Sequence, residues 1–312
     1  MTSTQRRLIT YVLPAFLGSW LLFGIFAATG GSIKTPGFAL VGVLYMYVPA
    51  LVTVVLAKFV YHEPMKDPLG LSFRVNWWWF IAWATFPVLM FPVIGVSVAM
   101  PDAWFDPQMT AFLDRMRQVT SPEQVERGMR QFESMGIHPF WLTLPSVMIA
   151  GLTINAVAAF GEELGWRGWL LKETAHMGFW RSSWFIGLVW GLWHGPIILQ
   201  GYNYPDHPVA GVVMMTLFTL LLSPILSYVR LRSGSVIVPS IAHGTLNAAA
   251  TAPTMVIGGG SDLTTGFMGT AGLMVLTGAV VVIWAYERWG NAEPIENRLK
   301  ALADSARQNA TT

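Results

Sequence analysis

Glu162 and Glu163 stand side by side, with Arg167 four residues further on. They lie inside Phe160-Gly161-Glu162-Glu163-Leu164-Gly165-Trp166-Arg167-Gly168-Trp169-Leu170-Leu171, a stretch otherwise apolar enough for a bilayer. Ionisable groups at membrane depth are costly, pair with one another or face a wet cavity, and mark functional sites by default. Helical spacing puts Glu163 and Arg167 on one face, where they can pair, and turns Glu162 about 100° away. Two carboxylates this close in a poor dielectric repel, so one of them must be paired or protonated. Arg167 holding Glu163 leaves Glu162 as the tunable group, suited to act as a general base. Taken alone, Glu-Glu-x-x-x-Arg reads equally well as an ion pair anchoring a helix end at the interface.

Two further segments add to the reading. Trp190-Gly191-Leu192-Trp193-His194-Gly195-Pro196 and Ile241-Ala242-His243-Gly244-Thr245-Leu246-Asn247 each bury one histidine among apolar residues, and the second adds an amide. Trp190 and His194 share a helix face, as do His243 and Asn247; Pro196 would free backbone carbonyls nearby. A lone histidine in an apolar run is more often a satisfied core residue. Two such segments in a chain of six histidines are harder to set aside. His62, His138, His176 and His207 fall at expected loops or helix ends and read as surface residues. Two chemistries fit a convergence of these groups. In one, Glu162 takes a proton from water that His194 orients, while His243 and Asn247 donate to the oxyanion of a tetrahedral intermediate. In the other, Glu162, His194 and His243 hold a zinc ion that activates the water. The spacing does not choose between them, because ligands from different helices have no fixed sequence separation.

The elements that must carry these residues are membrane helices. Of 312 residues 54% are hydrophobic and only 12% charged, about half the charge of a soluble domain. Apolar runs long enough to cross a bilayer fall near 9–28, 38–60, 77–100, 139–160, 183–200, 209–229, 235–252 and 267–286. This predicts an all-α, polytopic integral membrane protein of about eight transmembrane helices. His194 and Pro196 interrupt the fifth run and Pro224 the sixth; seven spans with a re-entrant segment is the fallback. With the N-terminus inside, only Lys34, Arg115, Arg117, Arg127 and Arg130 fall on the far side, so the positive-inside bias favours cytoplasmic termini. No basic footprint points to nucleic acid. The absence of cysteine excludes disulfides, thiolate metal sites and a cysteine nucleophile.

Residues 1–286 read as a single transmembrane domain with a motif-bearing core at about 139–252. Segment 101–138 is expected to be external and to form two amphipathic helices. One presents Met109, Phe112, Leu113 and Met116; the other starts at Ser121-Pro122-Glu123-Gln124, a capping-box pattern, and presents Val125, Met129 and Phe132. Such a hairpin suits an outer membrane surface or the roof of a cavity. Residues 287–312 read as a polar cytoplasmic tail, a short helix fraying at its end.

The three segments Glu162–Gly168, Trp190–Pro196 and His243–Asn247 resemble, in order and each within an apolar helix, the three motifs of the CAAX protease and bacteriocin-processing (CPBP, or Abi) family. The resemblance covers roughly residues 140–252, with Trp166 and Trp190 where relatives usually have phenylalanine. It implies an intramembrane endopeptidase with a cavity open toward the cytoplasmic side and the lipid. It also implies roles: Glu162 acting on water, Glu163 paired with Arg167, His194 orienting the water, and His243 with Asn247 as the oxyanion pair. Relatives favour a glutamate base without a cofactor, zinc being the alternative. The partners implied are a peptide or membrane-anchored protein substrate and the lipid bilayer, in a prokaryotic inner membrane; nothing in the sequence points to a prenylated substrate or an oligomeric state. The other readings are a non-proteolytic binding or bacteriocin-immunity protein on the same fold, and a transporter, against which stands the lack of a repeat between halves.

Overall fold

The computed structural model describes residues 2–308 and is almost wholly helical. The helices are α1 (Ser3–Ala28), α2 (Phe38–Val55), α3 (Lys66–Leu69), α4 (Trp77–Ser97), α5 (Thr110–Val119), α6 (Pro122–Met135), α7 (Pro139–Leu152), α8 (Ile154–Glu163), α9 (Leu171–Thr174), α10 (Phe179–Trp193), α11 (Gly195–Leu199), α12 (Pro208–Ser233), α13 (Ile237–Ala249), α14 (Thr270–Trp289) and α15 (Ile295–Gln308). Two three-residue strands, β1 (Ala103–Phe105) and β2 (Ile257–Gly259), pair antiparallel, with Ala103 opposite Gly259.

Five helices among the described residues are long and apolar enough to cross a bilayer: Thr4–Ala28, Phe38–Val60, Trp77–Ser97, Pro208–Ser233 and Thr270–Trp289. A sixth span results if Pro139–Leu152 and Ile154–Met177, which meet at 47°, are taken together. The expected runs at 183–200 and 235–252 are met by α10 and α13, of 15 and 13 residues. Eight full spans are therefore not confirmed. Hydropathy misleads here because α13 is apolar through burial in protein: ten of its residues, Val238 through Leu246 and Ala249, are buried. The run 139–160 is likewise not one helix, since Thr153 leaves helical geometry (φ −117°, ψ −107°). Pro224, by contrast, sits inside an unbroken α12.

The expected hairpin of 101–138 forms as α5 and α6, and the Ser121 hydroxyl accepts from the Gln124 N–H at 3.3 Å, capping α6. The two apolar faces close over α7 to line a cavity of about 450 Å³ shared with Leu142 and Met255. Of the expected tail, residues 295–308 form α15, and 309–312, where fraying is expected, lie outside the described residues. Glu293 and Glu287 hold Arg298 and Arg232 respectively, and α15 buries Ile295, Leu299 and Leu302 in the main core.

The end of the bundle that holds the start of α1 is tied by a charge cluster. Arg7 donates to Glu173 Oε2 and to Glu63 Oε1, both at 2.7 Å, and Lys172 Nζ reaches Glu63 Oε2 at 2.6 Å. Burial alone would push the Glu63 carboxyl up, but the hydrogen bonds and charges of Lys172 and Arg7 hold it below the usual carboxylate range. A depressed folded-state value means stabilisation that is complete above the unfolded pKa of about 4.3 and is lost as pH falls through the folded one. Glu63→Gln should cost about 1.5–3 kcal/mol near neutrality, the scale of a charge-assisted hydrogen bond, and should flatten the acid limb of stability. Thermal unfolding of both proteins between about pH 3 and 7 measures this; parallel acid limbs would refute it.

Candidate active site

The helix carrying Glu162 and Glu163 is placed by small residues. Gly161 lies against the Met46 carbonyl, where a Cβ would come within 2.6 Å, and Gly165 lies against Pro49, so the 161/165 pair lets this segment meet α1 and α2 backbone to side chain. Small residues four apart serve membrane helices in this way. On the other side Gly244 of α13 crosses α8, with a Cβ there 2.7 Å from the carbonyl carbon of Asn155. Beyond Glu163 the helix widens over Leu164–Leu170, the Leu171 N–H bonding to the Trp166 carbonyl five residues back. Such widened turns recur at functional sites.

Glu163, Arg167 and His243 form one buried group. Arg167 Nη1 lies 3.0 Å from Glu163 Oε1, and neither side chain is exposed to solvent. His243 Nδ1 lies 2.9 Å from the same oxygen. A carboxylate only accepts, so Nδ1 carries the hydrogen and Nε2 is left for other work. Glu162 points elsewhere, as its position on the helix requires. Its Oε2 accepts from the indole N–H of Trp190 at 2.5 Å and, more weakly, of Trp166 at 3.5 Å. The Arg167 guanidinium packs 4.6 Å from the Trp190 ring centroid, a cation–π contact that joins the two carboxylate systems through one indole.

His194 is set by the break between α10 and α11. Its N–H bonds to the Gly191 carbonyl three residues back, which frees the Trp190 carbonyl to accept from His194 Nδ1 at 2.9 Å. The bare Nε2 can then accept a hydrogen bond. The Trp193 carbonyl, also outside the helix ladder, is taken by Tyr45 Oη at 2.5 Å and Trp20 Nε1 at 3.0 Å. These side chains satisfy backbone groups that lipid could not.

Glu162, His194, His243 and Asn247 all line one cavity of about 410 Å³, whereas Glu163 and Arg167 lie behind its wall. The structure thus brings the six sequence-selected residues into two linked shells. No three His, Asp or Glu side chains among the described residues are grouped so as to hold a metal ion. The residues outside the sequence reading are the indoles of Trp166 and Trp190, which bond Glu162, and Asn155, which lines the cavity. Asn155 had a visible signal: it is the one amide in the apolar run 154–160, seven residues before Glu162.

Residues 144–249, about a third of the chain, match the family model described as type II CAAX prenyl endopeptidase, Rce1-like. The matched segment includes every residue of the two shells. No curated protein is similar enough to the chain to count as a match.

Removing Arg167 leaves the Glu163 charge buried with only His243 beside it. Arg167→Ala should destabilise the protein by about 3–5 kcal/mol, the usual result of stranding one partner of a buried pair. The check is thermal unfolding in detergent, where a melting temperature equal to that of the wild type would show that the pair carries no such weight.

Proposed function

We propose that this chain is an intramembrane endopeptidase of the CAAX type, in which Glu162 activates the water that cleaves a peptide or membrane-anchored protein. The observation that carries this reading is the convergence of Glu162, His194, His243 and Asn247 on one cavity, within a segment that matches a family of prenyl endopeptidases. Supporting it, two indole N–H groups converge on Glu162 Oε2, while Oε1 has no hydrogen bond among the described residues.

In the first step Glu162 takes a proton from water as the water oxygen bonds to the substrate carbonyl carbon. His194 Nε2 accepts the water's other hydrogen and so orients it. The carbonyl becomes an oxyanion, which the Asn247 amide N–H stabilises. His243 joins only when Nε2 is protonated as well as Nδ1, because Nδ1 is committed to Glu163. Glu162 then passes its proton to the amine nitrogen as the carbon–nitrogen bond breaks, restoring the carboxylate. Glu163 and Arg167 touch no reacting atom; they fix His243. No cofactor enters this scheme. The Lys and Arg distribution supports cytoplasmic termini, and the site belongs in a multi-pass membrane protein.

Glu162→Gln keeps an oxygen for the two indoles but cannot take a proton. Cleavage should fall by at least about 10²-fold with unfolding temperature unchanged, measured with a lipidated C-terminal peptide and a mixed library of membrane-anchored peptides in nanodiscs. Turnover at the wild-type rate would end the glutamate mechanism. Chelators should leave the wild-type rate unaltered. If EDTA abolished cleavage and zinc restored it, the metal mechanism would replace this one.

A further inference from the structure

Two amides on the cavity wall, Asn155 and Asn203, are not used by the mechanism above, and Asn155 is the one on the helix that carries Glu162. Asn155 lines the same cavity as Glu162 and Asn247 and sits two turns before Glu162 on the same face of its helix. The neighbours Ile154 and Val157 are 73% and 63% exposed. Asn155 itself is only partly buried. Its backbone lies against Gly244 of α13, so the crossing that positions His243 and Asn247 also positions Asn155. No hydrogen bond within the protein, among the described residues, involves its carboxamide.

A carboxamide that faces a cavity and has no partner among the described residues is free to bond what enters the cavity. Peptide backbone has the matching chemistry. A segment drawn into this cavity for hydrolysis must unwind, and each exposed N–H and C=O then lacks both its helix partner and water. A carboxamide can donate to one and accept from the other. Much of the wall, including Phe23, Val41, Met215, Phe218 and Leu222, offers apolar contact, with Asn203 and Thr251 as further polar groups.

We propose that Asn155 is a substrate-binding residue that hydrogen-bonds the backbone of an extended apolar peptide segment beside the scissile bond. It makes the cavity select for unwound backbone, with side-chain preference left to the apolar wall. The proposal rests on the peptidase reading for the position of the scissile bond, but not for the binding itself.

The test uses a fluorogenic peptide with a prenylated cysteine and three apolar C-terminal residues. A set of depsipeptides accompanies it, in each of which one flanking amide N–H is replaced by an ester oxygen. Affinities are measured on the full chain carrying Glu162→Gln, so that binding is read without turnover, and kcat/KM on the chain with Glu162 intact. Asn155→Leu keeps the side-chain shape and removes its hydrogen bonds; Asn155→Ala repeats the comparison without added bulk. Each should weaken binding of the parent peptide about tenfold and raise KM more than it lowers kcat. At one ester position, the loss of about tenfold seen with Asn155 in place should shrink below twofold in both variants, since a bond cannot be removed twice. Ester penalties that are unchanged by the variants at every position would overturn the proposal and leave Asn155 a packing residue. Binding without any cleavage by the wild type would sink the peptidase reading, while the same affinities would still decide the role of Asn155.

Discussion

Two adjacent carboxylates buried in an apolar bundle are the constraint around which this molecule is arranged. Left together they would repel, and neither could stay charged without help. The chain separates them by direction. Glu163 turns inward to Arg167 and the imidazole of His243, and Glu162 turns to the cavity and the indole of Trp190. Trp190 then serves both, giving its N–H to one carboxylate and its ring face to the arginine that neutralises the other. Gly244 follows from the same demand, because it lets α13 approach α8 at backbone distance where His243 reaches Glu163, while Gly161 and Gly165 seat the carboxylate-bearing segment against α2 and α1.

The irregular backbone is concentrated where this chemistry is. The break at Thr153, the widened turn over Leu164–Leu170 and the interruption at His194 bracket the buried charges. In each case a freed backbone group either finds a side chain or is re-bonded at a different spacing. At His194 the exchange is direct, because the carbonyl that the backbone gives up is the one that fixes the imidazole. Regular helices could bring the same residues near each other but could not hold that ring.

Much of the site was legible in the sequence, because helical periodicity is a local rule. The four-residue spacing of Glu163 and Arg167, and of His243 and Asn247, was enough to expect shared faces, and Pro196 was enough to expect a broken helix. Other features depend on what lies across the bundle. No local signal says that the indole of Trp190 points at Glu162, twenty-eight residues away. Span counting fails for a related reason: hydropathy reads α13 and a lipid-facing helix alike, although one is apolar for protein and the other for membrane. The β1–β2 pair is too short for alternation to register. The tail was read as polar from its average composition, whereas the spacing of Ile295, Leu299 and Leu302 is what docks it.

The docking of that tail bears on how the protein is made. Glu296 of α15 accepts from the Phe179 N–H at the first residue of α10 at 2.9 Å, and α10 is the helix that carries Trp190 and ends at His194. Because α15 follows all the long apolar helices in chain order, α10 gains this fastening only after those helices have been made. The contact that secures the first turn of α10 therefore comes later in the chain than the side chains that α10 presents to the cavity.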